Sequence, residues 1–226
     1  MKRLSREQSQ ARTRSRLLRS AAQAFVREGV EGATIEQVSE NAGYSRGAFY
    51  ANFSNKEDLC LVLLEQGFDE YLERFGDILA TDEEPEIRAQ RAGDHFSQLV
   101  AADPDWQRLF FELEVYALRN RRFRRKLVER HRVLRERVSE VFRARAADYG
   151  VESPVPLDQL TMMTFAMSTG FALEKLLEPD LVSDQLYGTM LAIFFAGLRK
   201  LVEDADDTGN QGFGRRSSAG GSPLSP

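Results

Sequence analysis

The chain has 226 residues, 42% of them apolar and 29% charged, the balance of a soluble globular protein rather than a disordered one, with room for one or two domains. A single cysteine, Cys60, rules out an internal disulfide and any multi-cysteine zinc site, and the two histidines, His95 and His131, leave little for metal chemistry, so neither metal nor cofactor is expected. No run approaches the ~20 consecutive apolar residues of a membrane span, and the basic start lacks the apolar segment and cleavage site of a signal peptide, which predicts a cytoplasmic protein with no membrane partner.

The net charge of −4 hides an uneven distribution. Residues 1–30 carry eight basic and two acidic side chains, 8 − 2 = +6, so the rest of the chain carries −10. A basic end on an acidic protein is the footprint of a molecule that approaches phosphates with one end only. Residues 1–13 are expected to form a flexible basic arm.

No segment alternates in the manner of a strand, whereas apolar positions recur at helical spacing almost throughout. The expected fold class is all-α, with about nine helices. Leu17, Leu18, Ala21, Ala22 and Phe25 form the buried stripe of the first, which Gly29 and Gly32 close. Thr34 opens a short second helix, with Gln37 completing a T-x-x-Q capping box and Ile35, Val38 and Ala42 facing inward. Gly43 supplies a turn with φ > 0. Ser45 caps a third helix, running to Phe53, that turns Phe49 and Phe53 inward and leaves Arg46, Gly47, Tyr50 and Asn52 on or near its outer face. Ser54 or Asn55 then caps a fourth, with Glu57 as box partner. Its apolar positions, Leu59, Val62, Leu63, Phe68, Tyr71, Leu72 and Phe75, carry it from a small N-terminal domain, 14–58, into a larger one, 59–203. Later helices are bounded by Asp82 to Pro85, Pro104, a turn near Asn120, a linker from Gly150 to Pro156, and Pro179, with the last beginning around Val182. Residues 204–226 are expected to be a disordered tail, too poor in apolar residues to offset the entropy of ordering.

Two capped helices across a glycine turn suit reading of the DNA major groove. Arg46 has the fork that pairs with guanine O6 and N7, Gly47 lets the backbone approach, and Asn52 is available for base contact. Tyr50, Lys56 and the helix start at Thr34 suit phosphate oxygens. The candidate DNA-binding residues are therefore Thr34, Tyr44, Ser45, Arg46, Gly47, Tyr50, Asn52 and Lys56.

The run from Thr34 to Leu59, with its T-I-x-x-V start, A-G-x-S turn, F-Y-x-x-F helix and K-E-x-L opening of the fourth helix, resembles the N-terminal domain of the TetR family of transcriptional regulators over about residues 14–64. The resemblance implies a homodimer whose recognition helices enter successive major grooves of a palindromic double-stranded DNA operator. It also implies a helical C-terminal domain that binds a small effector and thereby releases DNA. Gly47 and Ala48 lack hydroxyls that some members of the family direct at DNA, which shifts base readout toward Arg46 and Asn52. A repressor of this kind, not an enzyme, is the expected function; an activator, or a dimer that binds DNA without sensing an effector, is the alternative.

Gly43-Tyr44-Ser45-Arg46-Gly47 also satisfies G-x-S-x-G, the nucleophile elbow of α/β-hydrolases. That elbow needs a buried strand before the serine, and a polar amphipathic helix stands there instead.

Trp106 to Leu118 is apolar on more than one face, with Trp106, Leu109, Phe110, Leu113 and Tyr116 on one and Phe111, Val115 and Leu118 on another, so it is expected to be buried all round. Thr161 to Phe171 adds adaptable methionines. The candidate effector residues are Trp106, Phe110, Leu113, Tyr116, Met163, Met167 and Phe171, with Tyr116, Glu112, Asn120 or Thr164 orienting a hydrophobic or aromatic molecule. The last two helices, around 161–178 and 187–202, carry Gly170, Gly188, Ala192, Ala196 and Gly197, which permit close approach and make this pair the candidate homodimer interface. Ten basic residues crowd Arg119 to Arg137 against Glu129 and Glu136. With Phe123, Leu127, Leu134 and Val138 as an inner stripe, the segment reads as a solvated helix paired with acidic neighbours, a second nucleic-acid surface being the other reading.

Overall fold

The computed structural model describes residues 5–79, 81, 83–148 and 155–214. Met1 to Leu4 of the expected arm, most of the 150–156 linker, the side chains of Tyr71 and Phe75, and the tail beyond Gly214 fall outside the described residues. Nine helices, and no strand, are found among them: α1 (Arg6–Gly32), α2 (Ile35–Asn41), α3 (Arg46–Tyr50), α4 (Lys56–Leu79), α5 (Pro85–Ala102), α6 (Pro104–Arg119), α7 (Arg121–Asp148), α8 (Leu157–Leu177) and α9 (Leu186–Gly214).

Helix α1 starts well before the expected arm ends. Ser5 and Gln8 form a reciprocal capping box there, with the Gln8 N–H donating to Ser5 Oγ and the Ser5 N–H to Gln8 Oε1, so residues 6–13 are helical and not a loose arm. The other end is set by Gly29, whose φ of 74° breaks the helix. The Val30 N–H is thereby freed from the α-helical ladder, and Glu112 Oε1 of α6 accepts it at 2.7 Å. Helix α2 forms as its box predicts: the Thr34 N–H donates to Gln37 Oε1 and the Gln37 N–H to Thr34 Oγ1. Gly43 turns with φ 77°. At the start of α4 the capping partner is Asp58 and not Glu57. Asn55 Oδ1 accepts the Asp58 N–H and Asp58 Oδ2 accepts the Ser54 N–H, while Glu57 reaches across to α6 and α7.

The main core joins α1, α2, α3 and the first half of α4 to α6 and α7. Leu17, Phe25, Phe49, Phe53, Leu64, Leu109, Leu113 and Phe123 are essentially inaccessible to solvent; burial of each such side chain is worth roughly 1.5–3 kcal/mol. The helix-turn-helix thus shares its core with the larger part of the chain, because Leu109, Leu113 and Ala117 of α6 and Phe123 and Leu127 of α7 complete it. A second cluster joins α5, α8 and α9 through Val100, Phe171, Tyr187 and Leu191, and a third joins α4 to α7 through Leu72, Leu134 and Val138.

Three further expectations are corrected. Helix α6 is not buried all round, since Leu118 and Val115 are exposed and only the Gln107, Leu109, Leu113, Ala117 face is covered. Helix α9 begins at Leu186 and not near Val182. Lys175 holds the preceding turn by donating to the carbonyls of Pro179 and Val182 and pairing with Asp184, which leaves Val182 to fill the core. The same helix runs on to Gly214, ten residues past the start of the expected disordered tail.

Candidate nucleic-acid interface and effector cavity

The recognition helix α3 is held from behind. Phe49 and Phe53 are buried against each other, the Arg14 guanidinium of α1 lies 4.4 Å from the Phe53 ring centre, and its Nη1 donates to the Asn52 carbonyl at 2.8 Å. Ser20 of α1 donates to the Val38 carbonyl of α2 and fixes the angle of the pair. Ser45 caps α3 through the Ala48 N–H. Preceded by a helix, and itself a cap, Ser45 does not sit on a strand-to-helix elbow.

This support leaves Thr34, Ser45, Arg46, Gly47 and Tyr50 exposed together. Arg46 pairs with Glu36 of α2 at 2.6 Å, and its Nη2 lies 3.4 Å from the Tyr50 hydroxyl; the Tyr50 hydrogen bond, then the Glu36 charge, raise its already high pKa. The guanidinium is therefore a fixed cation. Tyr44 is half-buried against the core. Asn52 is turned inward, its amide donating to the Ala48 carbonyl with Oδ1 buried. Lys56 is engaged elsewhere, donating to the carbonyls of Val30 at 2.5 Å and Ala33 at 2.8 Å, so it closes the end of α1 onto the start of α4.

Lys56→Met is expected to lower stability by about 2–3 kcal/mol, the scale of lost hydrogen bonds from a charged donor, as read by denaturant unfolding. The salt slope of DNA binding should be unchanged in that variant, whereas loss of a phosphate contact would reduce it by about 0.9.

Behind the DNA-binding helices lies a cavity of about 1460 Å³, above the roughly 300–1,000 Å³ of most small-molecule sites. Its wall is largely apolar and drawn from α1 and from α4 to α9. Trp106 and Phe110 line it, as does Thr164, joined by Phe68, Phe96, Leu134, Phe142, Phe165 and Leu191, none of them among the candidate effector residues of the sequence. His131 and Glu114 form a polar pair in the wall, 3.1 Å apart, with the imidazole among the rings of Phe68 and Phe110. Met167 and Phe171 line a smaller neighbouring pocket between α8 and α9. Leu113 belongs to the main core, Met163 is exposed, and Tyr116 packs on Phe123 and accepts from Asn120. Burial pushes the Tyr116 hydroxyl pKa up, opposed by that Asn120 bond. Burial likewise raises the Cys60 thiol far above its usual range, which leaves it a core residue and not a nucleophile.

Two contacts tie this wall to the DNA-binding helices. Ala22, Gln23 and Val26 of α1 themselves line the cavity. Trp106 lies so close over Gly67 of α4 that a Cβ there would stand 2.6 Å from its Cε2. Neither the Glu112 bond to Val30, 82 residues away, nor the Gly67 contact leaves a local pattern in the sequence.

A capped helix-turn-helix with an exposed arginine and tyrosine, set on a helical body with a large apolar cavity, defines a DNA-binding regulator. The chain matches the family model of bacterial regulatory proteins of the tetR family over residues 17–63 and that of the BetI-type transcriptional repressor C-terminal domain over 85–201. It belongs to the TetR family of helix-turn-helix transcriptional regulators. Among characterised relatives, the transcriptional repressor AcnR of Corynebacterium diphtheriae is 29% identical over 161 residues, covering 70% of this chain and 78% of that protein. The fold is shared with FadR of Bacillus subtilis in complex with stearoyl-CoA (TM-score 0.66, 15% identity, 79% of this chain and 95% of that one). It is also shared with SmeT in complex with triclosan (TM-score 0.63, 21% identity, 80% and 88%).

Proposed function

We propose that this protein is a homodimeric repressor released from a palindromic operator when a hydrophobic effector fills the cavity. The observation that carries this reading is the cavity itself, whose wall includes α1 of the DNA-binding domain. A ligand there touches the helix that holds the end of α3 through Arg14 and α2 through Ser20. In this reading Arg46 and Tyr50 face the major groove, Thr34, Ser45 and Gly47 sit at the backbone, and Asn52 and Lys56 support them from inside. The bound stearoyl-CoA of FadR and triclosan of SmeT support a long-chain or aromatic effector, for which the volume is sufficient.

Dimerisation through α8 and α9 is supported by their outward stripes. Met162, Ala166, Gly170, Leu173 and Leu177 recur at helical spacing on α8, as do Leu186, Ile193, Gly197 and Leu201 on α9, and all are exposed in the protomer. Open space lies above Gly170 and Gly197. Gly188 is not part of this face, because it packs against Gly93 of α5. Two protomers joined here present two recognition helices, which must lie about 34–36 Å apart to enter successive grooves. Expansion of the cavity changes that spacing through Trp106 on α4 and Glu112 on α1.

Trp106 is the sole tryptophan, so its fluorescence reports on the cavity. Titration with stearoyl-CoA, triclosan and the general lipophilic dye anilinonaphthalene sulfonate should give saturable changes in Trp106 emission, with release of bound operator by the first or second. An absence of response to all three, with DNA binding intact, would count against an effector and favour a dimer that binds DNA constitutively.

A further inference from the structure

The ten cations of the Arg119 to Arg137 segment divide into groups that the sequence does not distinguish. Lys126, Arg130 and Arg137 meet Glu57, Glu65 and Asp69 of α4 at 3.9, 2.8 and 2.6 Å. Positions rise together on the two helices, so α7 runs parallel to α4 and its first turn stands beside the first turn of α4. Only residues 51–55 separate that turn of α4 from α3. The α6–α7 corner is fastened at the same place: Asn120 donates to Glu57 Oε1 at 3.2 Å and caps α7 through the N–H groups of Arg122 and Phe123. The Phe123 ring is buried in the core that the helix-turn-helix shares.

Around this corner Arg119, Arg121, Arg122, Arg124 and Arg125 are all exposed, and none has an acidic partner among the described residues. Arg121, Arg122 and Arg124 in the first turn of α7 oppose its dipole, whereas Arg119 ends α6 where a cation is favoured, and five guanidinium groups within seven residues repel one another.

We propose that Arg119, Arg121, Arg122, Arg124 and Arg125 form a second DNA surface, which grips backbone phosphates flanking the bases read by α3. The proposal rests on DNA binding through α3. Its partner is double-stranded DNA because the corner is fastened to Glu57, next to the Lys56 that reaches Ala33 just before the start of α2, because it carries the complementary charge, and because guanidinium forks suit phosphate oxygens. Such contacts carry no sequence information but add affinity that falls with salt.

The test compares the full-length protein with the R121A/R122A/R124A/R125A variant on two duplexes, the selected operator alone and the operator extended by about ten base pairs, one helical turn, on each side. The wild type should bind the extended duplex at least several-fold more tightly and with a steeper salt dependence. The alanine variant should lose that gain, its slope becoming shallower by about 0.9 for each phosphate contact removed, while its affinity for the short duplex changes little. The corresponding lysine variant keeps the charges and should keep most of the slope. Equal affinities and slopes for wild type and alanine variant on the extended duplex would overturn the proposal, including the case in which the cluster instead binds an acidic protein. Failure of the reading on which it rests is recognised separately, because Arg46→Ala would then leave sequence selectivity unaltered on both duplexes.

Discussion

Gly93→Ala is expected to destabilise the protein by about 3 kcal/mol or more, the upper end of the usual cost of overpacking. A Cβ on Gly93 would stand 2.5 Å from the backbone nitrogen of Gly188 and closer still to its Cα. The obstruction is main chain from α9, so no rotamer change relieves it. Separation of α5 from α9 would also disturb Val100, Tyr187 and Leu191, which share the second core cluster. For a chain of this size the loss corresponds to a fall of roughly 6–12 °C in Tm. Gly32→Ala is the control, because its Cβ would have only Glu28 Cβ at 3.6 Å and Gly32 has no left-handed φ; that variant should be neutral or slightly more stable. A Gly93→Ala protein melting with the wild type would show that α5 and α9 do not approach as closely as described.

Glu112→Ala is expected to separate effector binding from DNA release. Val30 is fully buried, and with the Gly29 break its N–H relies on the Glu112 carboxylate. Removal of that acceptor leaves a buried donor unpaired, at a cost of about 1–3 kcal/mol. The larger effect is on coupling. Glu112 lies two residues from Phe110 and Glu114 in the cavity wall, so in the proposed mechanism a ligand that displaces α6 would pull directly on the end of α1. Coupling between two sites is typically about 1–3 kcal/mol, or 5–150-fold in affinity. Without the tether the effector should bind with near wild-type affinity yet shift DNA affinity by only about twofold. Glu112→Gln keeps an acceptor oxygen and should restore most of the response. If the alanine variant releases DNA as the wild type does, transmission runs without this tether, through Trp106 on α4 or the cavity-lining residues of α1.

The parts of this molecule that were legible in its sequence are those governed by neighbours within four residues. The Thr34–Gln37 box, the positive φ of Gly43 and the inward pair Phe49 and Phe53 follow from local hydrogen bonding and helical period, and they suffice for the all-helical fold and the DNA-binding motif. Other features depend on distant partners. Asn52 and Lys56 look like DNA ligands by residue type, but the unsatisfied carbonyls of Ala48, Val30 and Ala33 lie nearer and claim them. The cavity is assembled from seven helices, and periodicity reports that a residue faces inward without saying whether it meets core or empty space. Leu113 and Phe110 show this: one completes the main core and the other lines the cavity, three residues apart on the same helix.

The most direct measurement is selection of duplexes from a random pool by the purified protein, with Arg46→Ala in parallel at two salt concentrations. A palindrome with half-sites about one helical turn apart, whose preference Arg46→Ala relaxes at a guanine in each half-site, is the predicted result. Recovery of no sequence at low salt, or of a non-palindromic site indifferent to Arg46, would contradict a dimeric regulator that reads DNA through α3.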